Sequence, residues 1–275
     1  SLHNRYAFSN YIKKTSFIIS LNSMVLILIL SIIQGVTEFI PVSSSSHLIL
    51  ISEYLNYEKS NLSIDVSLHI GSFIAVLTFF YKDIINFVEN KLLFIKIFIS
   101  SLPIMVVGFL LIKTGMIDNL RSIKIIGWMT IIFGIMLYIS DKFKLKKNIN
   151  ENFTYRSAFI IGLFQVLSLV PGVSRSGISL TAARLLNFKR FDAAKISFLL
   201  SIPTLAVVSL YGLTNIYSNS TNSFSFLNVL SILLSFIFSL ITIKYFLKYT
   251  KRFNLNIFVI YRIILGSIIL LTTYL

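Results

Sequence analysis

Cysteine is absent from this chain, and histidine occurs only three times in 275 residues. Without thiols there can be no disulfides, thiolate metal centres or cysteine nucleophiles. Charge is scarce as well: Asp, Glu, Lys and Arg together make up 13%, against about 25% in an ordinary soluble domain. Carboxylates are the rarer sign, 10 against 25 Lys and Arg. No P-loop, HExxH or EF-hand spacing occurs, so nucleotide-driven transport and zinc hydrolysis have no support.

What remains is apolar. Hydrophobic residues account for 56% of the chain and the mean hydropathy is +0.84, a balance that cannot cover a water-soluble surface. Apolar segments fall at about 24 to 40, 64 to 81, 92 to 113, 121 to 140, 156 to 170, 191 to 212, 225 to 249 and 257 to 275. Several reach the roughly 18 to 20 residues needed to cross the hydrocarbon core. The expected class is therefore all-α, a polytopic membrane protein. Two shorter helices, 46 to 55 and 177 to 187, are too short to span.

A net charge of +15 would suit a nucleic-acid binder if it lay along one face or arm, but the cations sit in short loops between apolar segments. No nucleic-acid partner is expected. Lys82 and Lys91, the cluster Lys142, Lys144, Lys146 and Lys147, the pair Lys189 and Arg190, and Lys248, Lys251 and Arg252 fall on one side if each segment crosses once. By the positive-inside rule that side is cytoplasmic. The chain begins at Ser1, and residues 1 to 23 are polar and mixed, so a native start near Met24 is expected. No small-residue cleavage site precedes the first polar motif, so the apolar stretch after Met24 reads as retained. Residues 24 to 275 form one integral membrane domain in this reading.

Two polar motifs interrupt the apolar pattern. Residues 34 to 48, QGVTEFIPVSSSSHL, close a helix at Pro41 and open another after the serine run; residues 171 to 180, PGVSRSGISL, do the same around Pro171 and Gly172. Irregular backbone in a bilayer is tolerated only where protein or a water-filled cavity surrounds it. After each break a helix opens alike, Ile64-Asp65 and Phe191-Asp192, and three long apolar segments follow. The pattern predicts an inverted-topology repeat, about 24 to 140 and 156 to 275, each half one re-entrant helix-break-helix unit plus three transmembrane helices. The two breaks would then meet near the midplane with helix N-termini directed inward, an arrangement that attracts anions.

The chemistry-bearing residues cluster at these breaks. Gln34 and Glu38 are four apart and share a helix face with Thr37 beside them. A carboxylate in a spanning segment survives when paired, metal-bound or facing water. Ser43, Ser44, Ser45 and Ser46 offer hydroxyls that can cap a helix, donate to phosphate oxygens or attack phosphorus. His47 stands in the first turn of the next helix, where it can act as base, acid or nucleophile. Arg175 lies between Ser174 and Ser176, framed by Gly172 and Gly177, where backbone N-H groups can approach a ligand. A guanidinium there can grip two phosphate oxygens. Asp65 and His69 are also four apart, but Asp65 reads as a first-turn acid, repeated by Asp192, and the pair is left outside the site. A carboxylate, a histidine, serines and an arginine around an anion-attracting cavity suit phosphoester hydrolysis, with an acid able to hold Mg²⁺ or Ca²⁺. A transporter or flippase of a lipid phosphate is the alternative, since inverted repeats with broken helices also serve transport.

At these residues the chain resembles the undecaprenyl-diphosphate phosphatase family, the bacitracin-resistance type of bacterial membrane enzyme. The likeness runs from about Met24 to the C-terminus. It rests on Gln34-Gly-Val-Thr-Glu38-Phe-Ile-Pro41-Val-Ser43-Ser44-Ser45-Ser46-His47 and Pro171-Gly172-Val-Ser174-Arg175-Ser176-Gly177, with Asp65-Val-Ser-Leu-His69-Ile-Gly71, Ser197-Phe-Leu-Leu-Ser-Ile-Pro203 and Ile260-Tyr261-Arg262-Ile-Ile-Leu-Gly266 in support. The resemblance implies hydrolysis of the terminal phosphate of undecaprenyl diphosphate on the outer side of the cytoplasmic membrane, recycling the carrier for peptidoglycan synthesis, with bacitracin resistance as a consequence. It implies Glu38, Ser44, His47 and Arg175 as catalytic residues, Gln34, Ser43, Ser45, Ser174, Ser176, Gly172 and Gly177 as substrate-binding ones, and Glu38 with Gln34 as ligands of Mg²⁺ or Ca²⁺. A polyprenyl diphosphate lipid and membrane lipids are the implied partners, and a homodimer is the assembly considered. Gln34 stands where many members carry a carboxylate, and Ser46 where Gly or Ala is common.

Overall fold

The computed structural model describes residues 24–54, 62–89, 91–116, 120–218 and 224–275. The extension before Met24 lies outside them. Among the described residues the fold is all-helical, without a β-strand. The first part of the chain forms α1 (Met24–Thr37), α2 (Ser44–Tyr54), α3 (Leu62–Phe79), α4 (Tyr81–Glu89), α5 (Lys91–Lys113) and α6 (Ile123–Asp141). A short α7 (Ile149–Asn152) leads to α8 (Tyr155–Val166), which ends in a 3-10 turn at Leu167–Leu169. Then come α9 (Arg175–Leu185), α10 (Arg190–Ser218), α11 (Phe226–Thr250) and α12 (Asn256–Tyr274).

The helices α5, α6, α10, α11 and α12 are long and apolar enough to cross a membrane, with α1, α3 and α8 as shorter apolar companions. The chain is thus a multi-pass membrane protein. Its polarity is arranged accordingly: Leu233, Ile237, Ile241 and Ile264 are exposed while Ser31, Ser72, Ser235 and Ser239 are buried. Lipid is as apolar as leucine, so helix association in a bilayer depends on small residues, close packing and hydrogen bonds. On α11, Ser231, Ser235 and Ser239 recur every four residues and form one face. That face meets α3, where the Ser72 hydroxyl lies 3.2 Å from that of Ser235 and 3.0 Å from that of Ser239, and Ser235 donates to the Leu68 carbonyl at 2.7 Å.

The packing partners fall in matching pairs. α3 lies on α11 and α10 on α5; α3 also meets α10, and α6 meets α12. Gly35 of α1 backs onto Phe238 and Ser239 of α11, as Gly162 of α8 backs onto Ser100 of α5. At one end of the bundle Asp141 closes the packing. Its carboxylate lies 2.6 Å from Arg190 and 3.4 Å from the fully buried Arg184, and accepts the Leu255 N-H at 3.1 Å. Asp192 caps the start of α7 by accepting the Ile149 N-H at 3.1 Å. The acid read from sequence as a first-turn residue thus joins the linker to α10.

The two breaks are held by a residue of α12. Arg262 is 0% exposed. Its Nη1 donates to the carbonyls of Pro41 at 3.2 Å and Val173 at 3.1 Å; its Nη2 donates to Gly172 at 2.7 Å and Met129 at 3.4 Å; its Nε donates to Thr130 at 3.1 Å. One planar fork with five N-H donors therefore satisfies carbonyls from the first break, the second break and α6. Those oxygens have no water to turn to at this depth.

The predicted segments correspond to the helices with small shifts at their ends. The additions are the four-residue α7 and α4, a short amphipathic helix that lacks the long apolar run by which the others are legible.

Removing the Arg262 fork has a defined consequence. An unsatisfied buried carbonyl costs roughly 1–3 kcal/mol, so Arg262→Leu is expected to yield aggregated protein on size exclusion in detergent. Arg262→Lys keeps the charge but offers no planar fork. It is expected to fold with a lowered thermal unfolding midpoint, and an unchanged midpoint would show that the fork is dispensable.

Candidate active site

The first break begins where α1 runs out of helical partners. The Glu38 N-H still bonds the Gln34 carbonyl at 3.0 Å, Pro41 and a tight turn from Val42 to Ile40 (2.8 Å) follow, and the chain then reverses at Ser43 with φ 78°. The second break does the same at Ser174 with φ 72°. A positive φ at a non-glycine residue costs on the order of 1–3 kcal/mol and persists only where the surroundings enforce it. Each strained serine is followed at once by a helix, so Ser44 opens α2 and Arg175 opens α9. The two residues occupy the same place in the two breaks.

Glu38 joins them. Its Oε2 accepts from the Ser44 hydroxyl at 2.6 Å and from the Gln34 amide at 3.1 Å, while Oε1 meets the Arg175 guanidinium at 2.6 Å. The carboxylate side chain is 6% exposed and the guanidinium 15%. A nearly buried negative charge is thereby paired with a positive one and hydrogen-bonded on both oxygens. Arg175 also donates to the Thr204 hydroxyl at 3.3 Å. These groups line a cavity of about 190 Å³ shared by Ser43, Ser45 and Ser174. It is smaller than the roughly 300–1,000 Å³ of drug-sized sites, a volume suited to a headgroup. Both short helices begin at its wall, and helix N-termini favour anions there.

The remaining residues singled out from sequence lie around the cavity rather than on it. Gln34 is fully buried behind Glu38. Ser176 donates to the Ile40 carbonyl at 2.9 Å and so ties the second break to the first. Ser46 is buried, its hydroxyl 2.8 Å from that of Ser43. Gly172 has φ +98°, and a side chain there would meet the Ile126 carbonyl; one at Gly177 would crowd the Arg262 guanidinium. Space at both glycines is taken up by the protein itself.

The histidines are distributed otherwise than the spacing suggests. His47, the fourth residue of α2, points at α12: Nδ1 lies 2.6 Å from the Ser43 carbonyl and Nε2 2.5 Å from the Tyr261 hydroxyl. A carbonyl only accepts, so Nδ1 carries a proton and, in the neutral ring, Nε2 accepts from Tyr261. The ring stacks on Tyr261 with centroids 5.8 Å apart and planes at 8°, and it is not among the residues lining the cavity. His69, set aside in the sequence reading, does line it, with Nδ1 donating to the Asp65 carbonyl at 2.8 Å. Its signal was available, since a histidine in the middle of an apolar segment is costly unless it faces a cavity. Arg262, a charge inside the apolar segment 257 to 275, carried the same signal, whereas Thr204 carried none.

Comparison with known proteins identifies the family. A family model described as bacitracin resistance protein BacA matches residues 27–268. The undecaprenyl-diphosphatase of Pelagibacter ubique (strain HTCC1062) is 45% identical over 254 residues, covering 92% of this chain and 99% of that protein. Those of Jannaschia sp. (strain CCS1) and Saccharophagus degradans are 35% and 38% identical, covering 92% and 86% of this chain and 99% and 94% of their own lengths. With a broken helix contributed by each half of the matched span and one carboxylate bridging them, the chain belongs to the bacitracin resistance protein BacA family.

Proposed function

We propose that this protein hydrolyses the terminal phosphate of undecaprenyl diphosphate, releasing undecaprenyl phosphate and inorganic phosphate. The observation that carries the proposal is the Ser44 hydroxyl donating to Glu38 at 2.6 Å while Arg175 grips the same carboxylate from the opposite break. A hydroxyl already bonded to a base is poised to attack, and a guanidinium beside it can hold charge on a transferring phosphoryl group. A transporter needs the anion-binding groups but not the poised pair. The relatives named undecaprenyl-diphosphatase supply the substrate. Carrier recycling for peptidoglycan synthesis and bacitracin resistance follow from that activity.

In the mechanism, Arg175 and the two helix ends hold the diphosphate. The Ser44 Oγ attacks the terminal phosphorus as its proton passes to Glu38, and the bond from that phosphorus to the bridging oxygen breaks. The leaving undecaprenyl phosphate takes the electron pair, and its second pKa of about 6 makes it a competent leaving group without prior protonation. Water then cleaves the phosphoserine, giving inorganic phosphate and restoring the hydroxyl. His69, the histidine on the cavity wall, exchanges protons with this water, whereas His47 positions the Ser43 turn. Ser43, Ser45 and Ser174 line the headgroup space, and Ser176, Gly172 and Gly177 support the backbone around it.

Glu38 on the cavity wall and Gln34 behind it, whose Oε1 is a buried oxygen with no hydrogen-bond partner among the described residues, would hold Mg²⁺ or Ca²⁺. When bound, such a cation supplies neutralisation of diphosphate charge. Orientation belongs to the same proposal: residues 24 to 275 form one domain of inverted halves in the bacterial inner membrane, with basic loops inside and the cavity open to the outer side. The matching helix pairs, α3 on α11 with α10 on α5 and α6 with α12, support it.

Purified protein in detergent with Mg²⁺ or Ca²⁺ is expected to release phosphate from undecaprenyl diphosphate. No release, with lipid movement still seen in vesicles, would overturn the hydrolase reading. Ser44→Ala is expected to lower kcat on the order of 10³-fold or more, and acid-quenched wild type should carry labelled phosphate on Ser44. A variant that turns over normally would exclude the serine as nucleophile. For the histidines, His69→Gln is expected to reduce kcat more than His47→Gln, whose effect should appear mainly in thermal stability. The reverse order would assign the proton to His47.

A further inference from the structure

A second cavity lies at the end of the bundle where α3 finishes and α10 starts. Its volume is about 320 Å³ and its walls carry Lys195 of α10 with Lys244 and Lys248 of α11 and Lys251 just beyond the end of α11. The carboxylate lining it is that of Asp83, which pairs with Lys195 at 2.6 Å. Among the described residues, three ammonium groups thus face the space without a lining carboxylate to balance them. Apolar groups complete the wall: Phe79, Phe80, Leu247 and Phe191, over whose ring Lys251 sits at 4.6 Å.

Two observations fix the level of this cavity in the bilayer. On α11, Ile237 and Ile241 are exposed, and Lys244 and Lys248, with Lys251 at the helix's C-cap, continue the same face, also exposed. The spacings of three, four and seven residues keep them on one stripe. That stripe turns from apolar to cationic within one turn, as a helix does on passing from acyl chains to headgroups. Next to it, α4 carries Tyr81 and Ile85 exposed, four apart, while Asp83 turns inward to Lys195. A short helix with an outward apolar edge and an inward ion pair lies along a membrane surface. The reacting cavity is lined by His69 of α3 and Thr204 of α10, roughly ten residues along each helix from Phe79 and Lys195, or about 15 Å at 1.5 Å per residue.

We propose that this second cavity binds the headgroup of an acidic phospholipid, with its acyl chains along Ile237 and Ile241 of α11. Three ammonium groups that no described carboxylate in the cavity wall balances suit a phosphodiester anion, and basic pockets between transmembrane helices are a recurrent form of lipid recognition. Aromatic walls and an apolar approach along α11 favour a lipid over a free anion, which would gain nothing from either. The site has no part in the Glu38 chemistry and is independent of the hydrolase reading.

Native mass spectrometry of the full-length protein released from detergent tests it, with phosphatidylglycerol or phosphatidylcholine as the probe. Phosphatidylglycerol is expected to remain bound while phosphatidylcholine is stripped. The exposed double substitution Lys244→Gln with Lys248→Gln should weaken phosphatidylglycerol retention on the order of tenfold, and Lys244→Arg with Lys248→Arg should preserve it. Equal retention of the two lipids, or no loss in the glutamine variant, would overturn the proposal by reducing the contacts to a nonspecific lipid shell. Displacement of phosphatidylglycerol by an equal concentration of inorganic phosphate would overturn it in favour of a free-anion site.

Discussion

The buried guanidinium of Arg262 is the interaction on which the rest of the structure depends. A broken helix inside a membrane frees carbonyl oxygens that must find donors within the protein. Here two breaks come together, and Arg262 supplies donors to Pro41 of one, to Gly172 and Val173 of the other, and to Met129 and Thr130 of α6. The hydrogen bond from Ser176 to Ile40 adds a direct tie between the breaks. The strained turns at Ser43 and Ser174 can therefore persist, and they aim Ser44 and Arg175 at one carboxylate.

Cost and use coincide at Glu38. Burying a carboxylate is unfavourable, and pairing with Arg175 and hydrogen bonding from Ser44 and Gln34 offset it. Those same contacts leave the serine hydroxyl bonded to a base and the guanidinium beside a small anion-attracting cavity. In the proposed reaction the substrate phosphate is a further acceptor for Arg175 and the helix ends. The arrangement is consistent with the general expectation that ionisable groups within a membrane mark the functional pathway.

Much of this was legible in the sequence because a bilayer enforces simple rules. Long apolar runs gave the spanning helices, and the polar interruptions at Pro41 and Pro171 gave the breaks. The i, i+4 spacing of Gln34 and Glu38 brought them to one face, where the structure has them hydrogen-bonded. Arg175 and Glu38, 137 positions apart, could be joined only through the matching motifs of the two halves. What escaped was set by tertiary packing. Which way His47 turns depends on Tyr261 in a distant helix. His69 reaches the cavity because α3 passes beside the first break. Arg262 carries a motif position without any local sign that its donors bind backbone from three segments. The short α4 was hidden because its amphipathic pattern covers too few residues to stand out.

The equivalence of Ser44 and Arg175 carries a consequence for how the site can be assembled. Each is the first residue of a short helix, placed just after a serine with φ above 70°. Two identical half-length subunits would put the same residue at both places, either two hydroxyls with nothing to grip the anion or two guanidiniums with nothing to attack it. The unlike pair therefore needs two different breaks, one bringing the hydroxyl and the other the guanidinium, and a single chain carries both.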